Sequence, residues 1–105
     1  MNKDLETIKF IEPSDTMYTI YSKSGCPNCT KVKELLQINK IQFVIINCDD
    51  YLLDNKPAFL EFIMNLTSRE WKTFPLVFDN NSQFVGGFID TKIYLEKLLE
   101  FTEDF

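Results

Sequence analysis

The sequence predicts a single α/β domain built from about four strands and three helices. Two observations carry this. An apolar strand, a turn, a helix and a second apolar strand follow one another between Tyr18 and Asn47, which is a right-handed βαβ unit. Two short apolar runs then flank Asp79-Asn-Asn-Ser82, which reads as a hairpin. The chain has 105 residues, 45% of them hydrophobic, enough for one real core but not two.

The elements follow in order. Residues 1–15 mix charge with Leu5, Ile8 and Ile11 and are expected to be an N-terminal extension, a short helix before Pro13 or a loose arm; the domain proper is expected over 16–105. Tyr18–Ser22 is β-branched and aromatic, a buried first strand, and Ser22, Ser24 and Gly25 supply turn chemistry. Pro27–Asn39 is the first helix, with Pro27 at its first position, where the missing N–H removes a donor that would lack a partner anyway. Ile41–Asn47 is nearly continuous apolar sequence, expected as a strand covered on both faces, with Cys48 at its end. Asp54–Thr67 is the second helix, with Pro57 in its first turn and Phe59, Phe62, Ile63 and Leu66 at core spacing. Ser68–Lys72 is a polar link carrying Trp71. Pro75–Phe78 and Gln83–Val85 form the hairpin strands, and Gly86-Gly87 ends the second. Asp90 is expected to cap a last helix, Thr91–Phe101, with Tyr94, Leu98 and Phe101 on one face.

Chemistry concentrates where the first helix opens on Cys26-Pro-Asn-Cys29. A sulfur at a helix N-terminus meets the positive end of the macrodipole and unpaired N–H groups, which favour thiolate over thiol. Cys29 shares a helical face with Val32 and Leu36 and is expected to point into the core, leaving Cys26 as the exposed nucleophile and Cys29 as the shielded resolving thiol. A complete four-ligand Cys/His zinc site is impossible within one chain, because there is no His and the only further Cys is Cys48, and no metal is expected. Two inert thiols are the other reading, but Cys-x-x-Cys in a βαβ pattern reads as a redox motif.

Net charge is −5, which argues against a nucleic-acid surface, yet Thr16 to Lys33 carries Lys23, Lys31 and Lys33 and no acid. This basic island would lower a thiol pKa and attract an anionic thiol substrate, although Lys31 and Lys33 read equally well as a solvated helix face. The acidic residues Glu96, Glu100, Glu103 and Asp104 gather at the other end. No apolar run is long enough to span a bilayer and the N-terminus has no signal-peptide core, so a cytoplasmic protein without membrane partners is expected.

Three motifs in series, Ser24-Gly-Cys-Pro-Asn-Cys29, Thr73-Phe-Pro75 and Gly86-Gly87 followed by Asp90, make the chain resemble a glutaredoxin of the dithiol type, within the thioredoxin-fold superfamily. The resemblance implies a four-stranded mixed sheet flanked by three helices, and thiol–disulfide exchange with glutathione as co-substrate on disulfide-containing or glutathionylated proteins, by a monomer. It assigns Cys26 as nucleophile and Cys29 as resolving cysteine. It places Lys23 and Lys72 near the glutathione glycine carboxylate. It implies a cis Phe74–Pro75 bond that turns the backbone of Thr73 and Phe74 toward an extended cysteinyl backbone. The γ-glutamyl carboxylate would meet the N–H groups around Gly87, Phe88, Ile89 and Asp90, and Asp90 would either meet the α-amino group or only cap the helix.

The chain departs from the family pattern at Asn28, often Tyr; at Phe74, usually Val; and at Phe88-Ile89, commonly Cys-Asp or Cys-Ser. The resemblance leaves two further roles open: a partner-specific dithiol electron donor, for example to a ribonucleotide reductase, and an iron–sulfur cluster carrier. Proline at 27 speaks for redox duty over the latter. Cys48 lies outside every motif and reads as a buried small hydrophobe or a regulatory thiol.

Overall fold

A computed structural model describes residues 9–71 and 73–103, with side chains described as far as Leu98. Lys72, Phe101 as a side chain, and the Leu5 and Ile8 of the extension lie outside the described residues. Seven elements appear in the order β1 (Tyr18–Ser22), α1 (Pro27–Ile38), β2 (Phe43–Asn47), α2 (Asp49–Thr67), β3 (Leu76–Phe78), β4 (Phe84–Gly86) and α3 (Phe88–Glu103). The sheet order is β2-β1-β3-β4. β1 and β2 run parallel, and the other two pairs are antiparallel, so the sheet is mixed, as expected.

Alternation along the central strands divides the core in two. Ile20 and Val77 face one side with Tyr18, Val32, Leu36 and Leu95, under α1 and α3. Tyr21, Leu76 and Phe78 face the other with Ile46, Phe59 and Ile63, under α2. This is the period of two of a pleated strand, met on each face by helical stripes of period 3.6. Phe59 is 1% exposed, and burying such a side chain contributes about 2–3 kcal/mol.

Several boundaries differ from expectation. β2 starts at Phe43 because the chain is still turning before it: Lys40 has φ 56°, and the Ile41 N–H donates to the Leu36 carbonyl at 2.9 Å. β2 is also the sheet edge rather than a doubly covered strand, and Ile45 is 45% exposed. α2 starts at Asp49, with a break at Asn55 (φ −160°, ψ 75°). The Asn55 Oδ1 accepts the Ala58 N–H at 3.2 Å, so Asn55 caps a second leg that has Pro57 in its first turn. The short leg before it, Asp49 to Asp54, was not anticipated. β3 and β4 each begin one residue later than expected, and Asp79 organises the turn by accepting the N–H groups of Asn81 and Gln83 at 2.8 and 3.0 Å.

α3 begins at Phe88, three residues before its expected start. The inward positions shift accordingly to Thr91 and Leu95, while Tyr94 is half-buried and Leu98 is 46% exposed. In the extension, residues 9–14 take no regular structure, so no helix forms across this part. Here Phe10, rather than Ile11, anchors the segment. Its ring lies 4.9 Å from Tyr51, 5.5 Å from Phe59 and 5.0 Å from Phe62, while Ile11 is 58% exposed.

Candidate active site

The βαβ unit brings Cys26 to the C-terminal end of β1, where the chain leaves the sheet and enters α1. Cys26 is the N-cap, and its Sγ accepts the Cys29 N–H at 3.2 Å. A main-chain donor of the first turn, the Cys29 N–H, therefore points at the sulfur, an arrangement that stabilises a thiolate. Pro27 occupies the start of the helix, and no acidic residue lies in its first turn to oppose that field.

Cys26 and Cys29 form a disulfide, with Cα atoms 5.2 Å apart, inside the range of about 4.4–6.8 Å that such a bond spans. Cys29 is 2% exposed and packs on the face of Val32 and Leu36, whereas Cys26 is only half-buried. The two sulfurs therefore differ in access as their spacing predicted.

Cys26 opens into a shallow groove of about 360 Å³ lined by Lys23, Gly25, Cys26, Pro27, Asn28, Thr73 and Phe74. Lys23, Thr73 and Phe74, singled out from the sequence, thus line the same groove as Cys26. The Lys23 Nζ stands 5.8 Å from the centre of the Phe74 ring, a cation–π contact that sets a positive charge on the groove wall. The Phe74–Pro75 bond is cis, and Pro75 is buried. An adjoining pocket of about 230 Å³ shares Lys23, Thr73 and Phe74 and continues beneath them to Phe59, Ile63 and Trp71. A larger cleft, about 460 Å³, lies at the far end of β1 around Tyr18, Asn39 and Leu95. Among the described residues its lining has no cysteine or charged side chain, so size is a poor guide here and the thiol groove is the better candidate.

Gly87, Phe88, Ile89 and Asp90 form the entrance to α3. Gly87 adjoins the cis-proline: a Cβ placed on it would stand 3.7 Å from the Pro75 carbonyl oxygen and 3.7 Å from the Trp71 ring. The Lys31 Nζ lies 5.9 Å from the Phe88 ring centre, tying α1 to this turn. Ile89 is 60% exposed. Asp90 sits inside the first turn rather than ahead of it, and its Oδ2 accepts the Gly87 N–H at 3.1 Å, the backward-reaching half of a capping box. The glycine that requires its freedom is Gly86, with φ +129°, because Asp90 fills the space its Cβ would need.

Two participants escaped the sequence reading. Trp71, taken as part of a polar link, lines the pocket next to Phe74. Asp49, at the start of α2 just after β2, accepts the Ser24 N–H at 3.0 Å and also the Ser24 hydroxyl. No local signal marks either, because both contacts are made across the fold. Cys48 is fully buried, and burial pushes its thiol up to about 12, the profile of an inert core residue. Among the described residues no group of three or more Cys, Asp or Glu side chains could hold a metal ion, and no helix is long and apolar enough to cross a membrane.

Comparison with known proteins agrees with this geometry. The family model for glutaredoxin matches residues 18–85. The human protein glutaredoxin-2, mitochondrial, is 31% identical over 91 residues, covering 87% of this chain and 49% of the relative. The chain thus spans about half the length of the curated relatives it matches. Among solved structures, glutaredoxin 1 from Francisella tularensis, complexed with cacodylate, superposes with a TM-score of 0.67 at 27% identity, over 79% of this chain and 95% of that one. A buckwheat glutaredoxin–glutathione complex shares the fold at a TM-score of 0.64 and 20% identity, over 80% and 72% of the two chains. The chain belongs to the glutaredoxin family.

Proposed function

We propose that this chain is a glutathione-dependent oxidoreductase that reduces protein disulfides and protein–glutathione mixed disulfides through Cys26 and Cys29. The observation that carries the reading is the pairing of a half-exposed Cys26 at a helix N-terminus with a buried Cys29 in bonding range, on a groove whose wall carries Lys23. Family membership supports glutathione as the co-substrate.

In the monothiol route the Cys26 thiolate attacks the glutathione sulfur of a mixed disulfide. A Cys26–glutathione disulfide forms, and the substrate protein leaves as a thiolate that takes up a proton. A second glutathione thiolate then attacks the sulfur of the bound glutathione, releasing glutathione disulfide and restoring the Cys26 thiolate. In the dithiol route Cys26 attacks a protein disulfide, and Cys29, as thiolate, displaces the substrate to give the Cys26–Cys29 disulfide. Two glutathione molecules re-reduce that bond. Glutaredoxins as a class have potentials of about −200 to −230 mV, within reach of a cellular glutathione pool.

Glutathione would lie extended over Phe74 and Pro75, its glycine carboxylate toward Lys23. Its γ-glutamyl carboxylate would face the first-turn N–H groups of Phe88, Ile89 and Asp90, where the helix dipole adds positive potential. Asp90 has one oxygen committed to Gly87, which leaves capping as a firm role and contact with the α-amino group as a further one.

The test is a glutathione-coupled assay on a glutathionylated peptide, following NADPH through glutathione reductase, with wild type, Cys26→Ser and Cys29→Ser side by side. Cys26→Ser is expected to lose all turnover. Cys29→Ser is expected to keep deglutathionylation and lose reduction of protein disulfides. Absence of wild-type turnover, with protein disulfides still reduced from a dithiol donor, would favour the partner-specific electron donor instead. Ile89, 60% exposed in the first turn of α3, is the feature that suits such a partner.

A further inference from the structure

The loop between β1 and α1 carries Lys23 and leads into Cys26, yet it has little packing to hold it. Lys23, Ser24 and Gly25 are all exposed, and a Cβ on Gly25 would meet nothing within 4 Å. Polar bonds from the β2–α2 junction hold it instead. The Cys48 N–H donates to the Ser22 carbonyl at 2.8 Å. The Asp49 carboxylate accepts both the Ser24 N–H, at 3.0 Å, and the Ser24 hydroxyl. Asp49 is itself oriented by its own N–H, which donates to the Asn47 Oδ1 at 2.9 Å. The two Ser24 bonds, then a side-chain hydrogen bond with Asn47 and the charge of Lys23, hold the Asp49 carboxyl below the usual carboxylate range.

Cys26 is fixed by other means. Its carbonyl accepts the N–H groups of Cys29 and Thr30 at 3.1 and 3.3 Å, and its sulfur sits on the first turn of α1. A failure of the Asp49 clamp would thus displace Lys23 from Phe74 while leaving the thiol on its helix.

We infer that Asp49 is a positioning residue for the thiol reaction: by clamping Ser24 it keeps Lys23 against Phe74 at the rim of the Cys26 groove, and so sets the affinity for anionic thiol substrates. This rests on the function proposed above and assigns to that site a residue from outside the groove. An opposing effect has to be weighed. Asp49 is an anion near Lys23, and removing it would raise the positive potential of the rim. Between exposed charges in ordinary salt that gain is small, whereas two hydrogen bonds to a carboxylate are lost together. The clamp therefore decides the sign.

The experiment compares wild type, Asp49→Ala, Asp49→Asn, Ser24→Ala and the Asp49→Ala/Ser24→Ala pair. Turnover of a glutathionylated peptide is measured beside the rates at which reduced Cys26 reacts with iodoacetamide and with iodoacetate, and thermal unfolding reports on the fold. Asp49→Ala should raise KM about five- to tenfold with kcat within about twofold, the effect of losing a hydrogen-bonded charged acceptor. The pH midpoint of the iodoacetamide reaction should not move, and the iodoacetate-to-iodoacetamide rate ratio should fall about twofold or more by the same loss. Asp49→Asn, whose amide oxygen still accepts the Ser24 N–H and whose NH2 donates to the Ser24 hydroxyl with that bond reversed, should stay within about twofold of wild type. Adding Ser24→Ala to Asp49→Ala should change nothing further.

An unchanged or lowered KM in Asp49→Ala, equal effects of Ala and Asn, or a shifted iodoacetamide midpoint would overturn the inference. If wild type fails to turn over the peptide, the glutathione reading falls. The reagent ratio then decides the positioning role alone: a fall in Asp49→Ala upholds it, and no change refutes it.

Discussion

Replacing Gly86 with Ala should be among the most damaging single-methyl additions available to this chain. Gly86 has φ +129°, a conformation that costs a non-glycine residue about 1–3 kcal/mol. The new Cβ would stand 2.6 Å from the Asp90 Cβ and 2.7 Å from its Cγ, so the aspartate has to rotate. Rotation gives up the Asp90 bond to the Gly87 N–H, a cap interaction worth about 1 kcal/mol. The sum is about 2–4 kcal/mol, or about 10–20 °C in Tm for a domain of this size.

Urea unfolding followed by circular dichroism measures it, with the m-value checked for constancy. Gly87→Ala is the control, since its Cβ would meet neighbours only at 3.7 Å, and should cost about 1 kcal/mol or less. In an Asp90→Ala background the penalty of Gly86→Ala should shrink, because the colliding carboxylate and its cap are already gone. A loss under about 1 kcal/mol in the single variant, or additive losses in the pair, would refute the reasoning.

Three further outcomes are expected. Phe10→Ala should destabilise by about 2 kcal/mol in a denaturant titration, about half the cost of truncating a fully buried Phe, while Ile11→Ala should stay within about 0.5 kcal/mol. In reduced native protein, iodoacetamide should label Cys26 and spare Cys48, and Cys48 should become reactive only in denaturant, as mass spectrometry of the labelled chain would show. Stability should fall on the alkaline side. Burial raises the Cys48 thiol from 9.0 to about 12, the Asp79 hydrogen bond raises Tyr94 from 10.0 to about 12, and burial raises Tyr18 and Tyr21 as well. These groups lose protons in the unfolded chain from about pH 9 but keep them in the folded one, so their contribution is complete below pH 9 and lost toward pH 12. Urea midpoints between pH 8 and 11 would reveal the slope, and Tyr94→Phe should reduce it.

How legible the molecule was depends on the range of the interaction involved. β1 was read to the residue, and α1 to within its last position, because Cys26-Pro27 marks the start and a Cys29-Val32-Leu36 stripe marks the inward face. Those signals lie within one turn of the residues they position. The same locality separated an exposed Cys26 from a buried Cys29. The Ser24, Thr73 and Gly86 motifs in series likewise indicate the family by themselves.

Other features depend on what each segment meets across the fold. An apolar run such as Phe43–Asn47 specifies a strand but not its neighbours, and only the sheet order makes it an edge. The periodicity of the extension points to Ile11, whereas the ring cluster of Tyr51, Phe59 and Phe62 takes up Phe10. Asp90 reads as a residue ahead of a helix, and the backbone freedom of Gly86 lets the helix start earlier and draws Asp90 inside it. The clamp from Asp49 to Ser24 joins positions 25 residues apart in the chain. Sequence by itself determined the strand–helix periods, the thiol pair and its chemistry, because backbone propensity and side-chain spacing act locally. Tertiary structure decided which face each aromatic fills, which strand is the edge and which carboxylate holds the loop, because packing and long-range hydrogen bonds exist only once the chain has closed on itself.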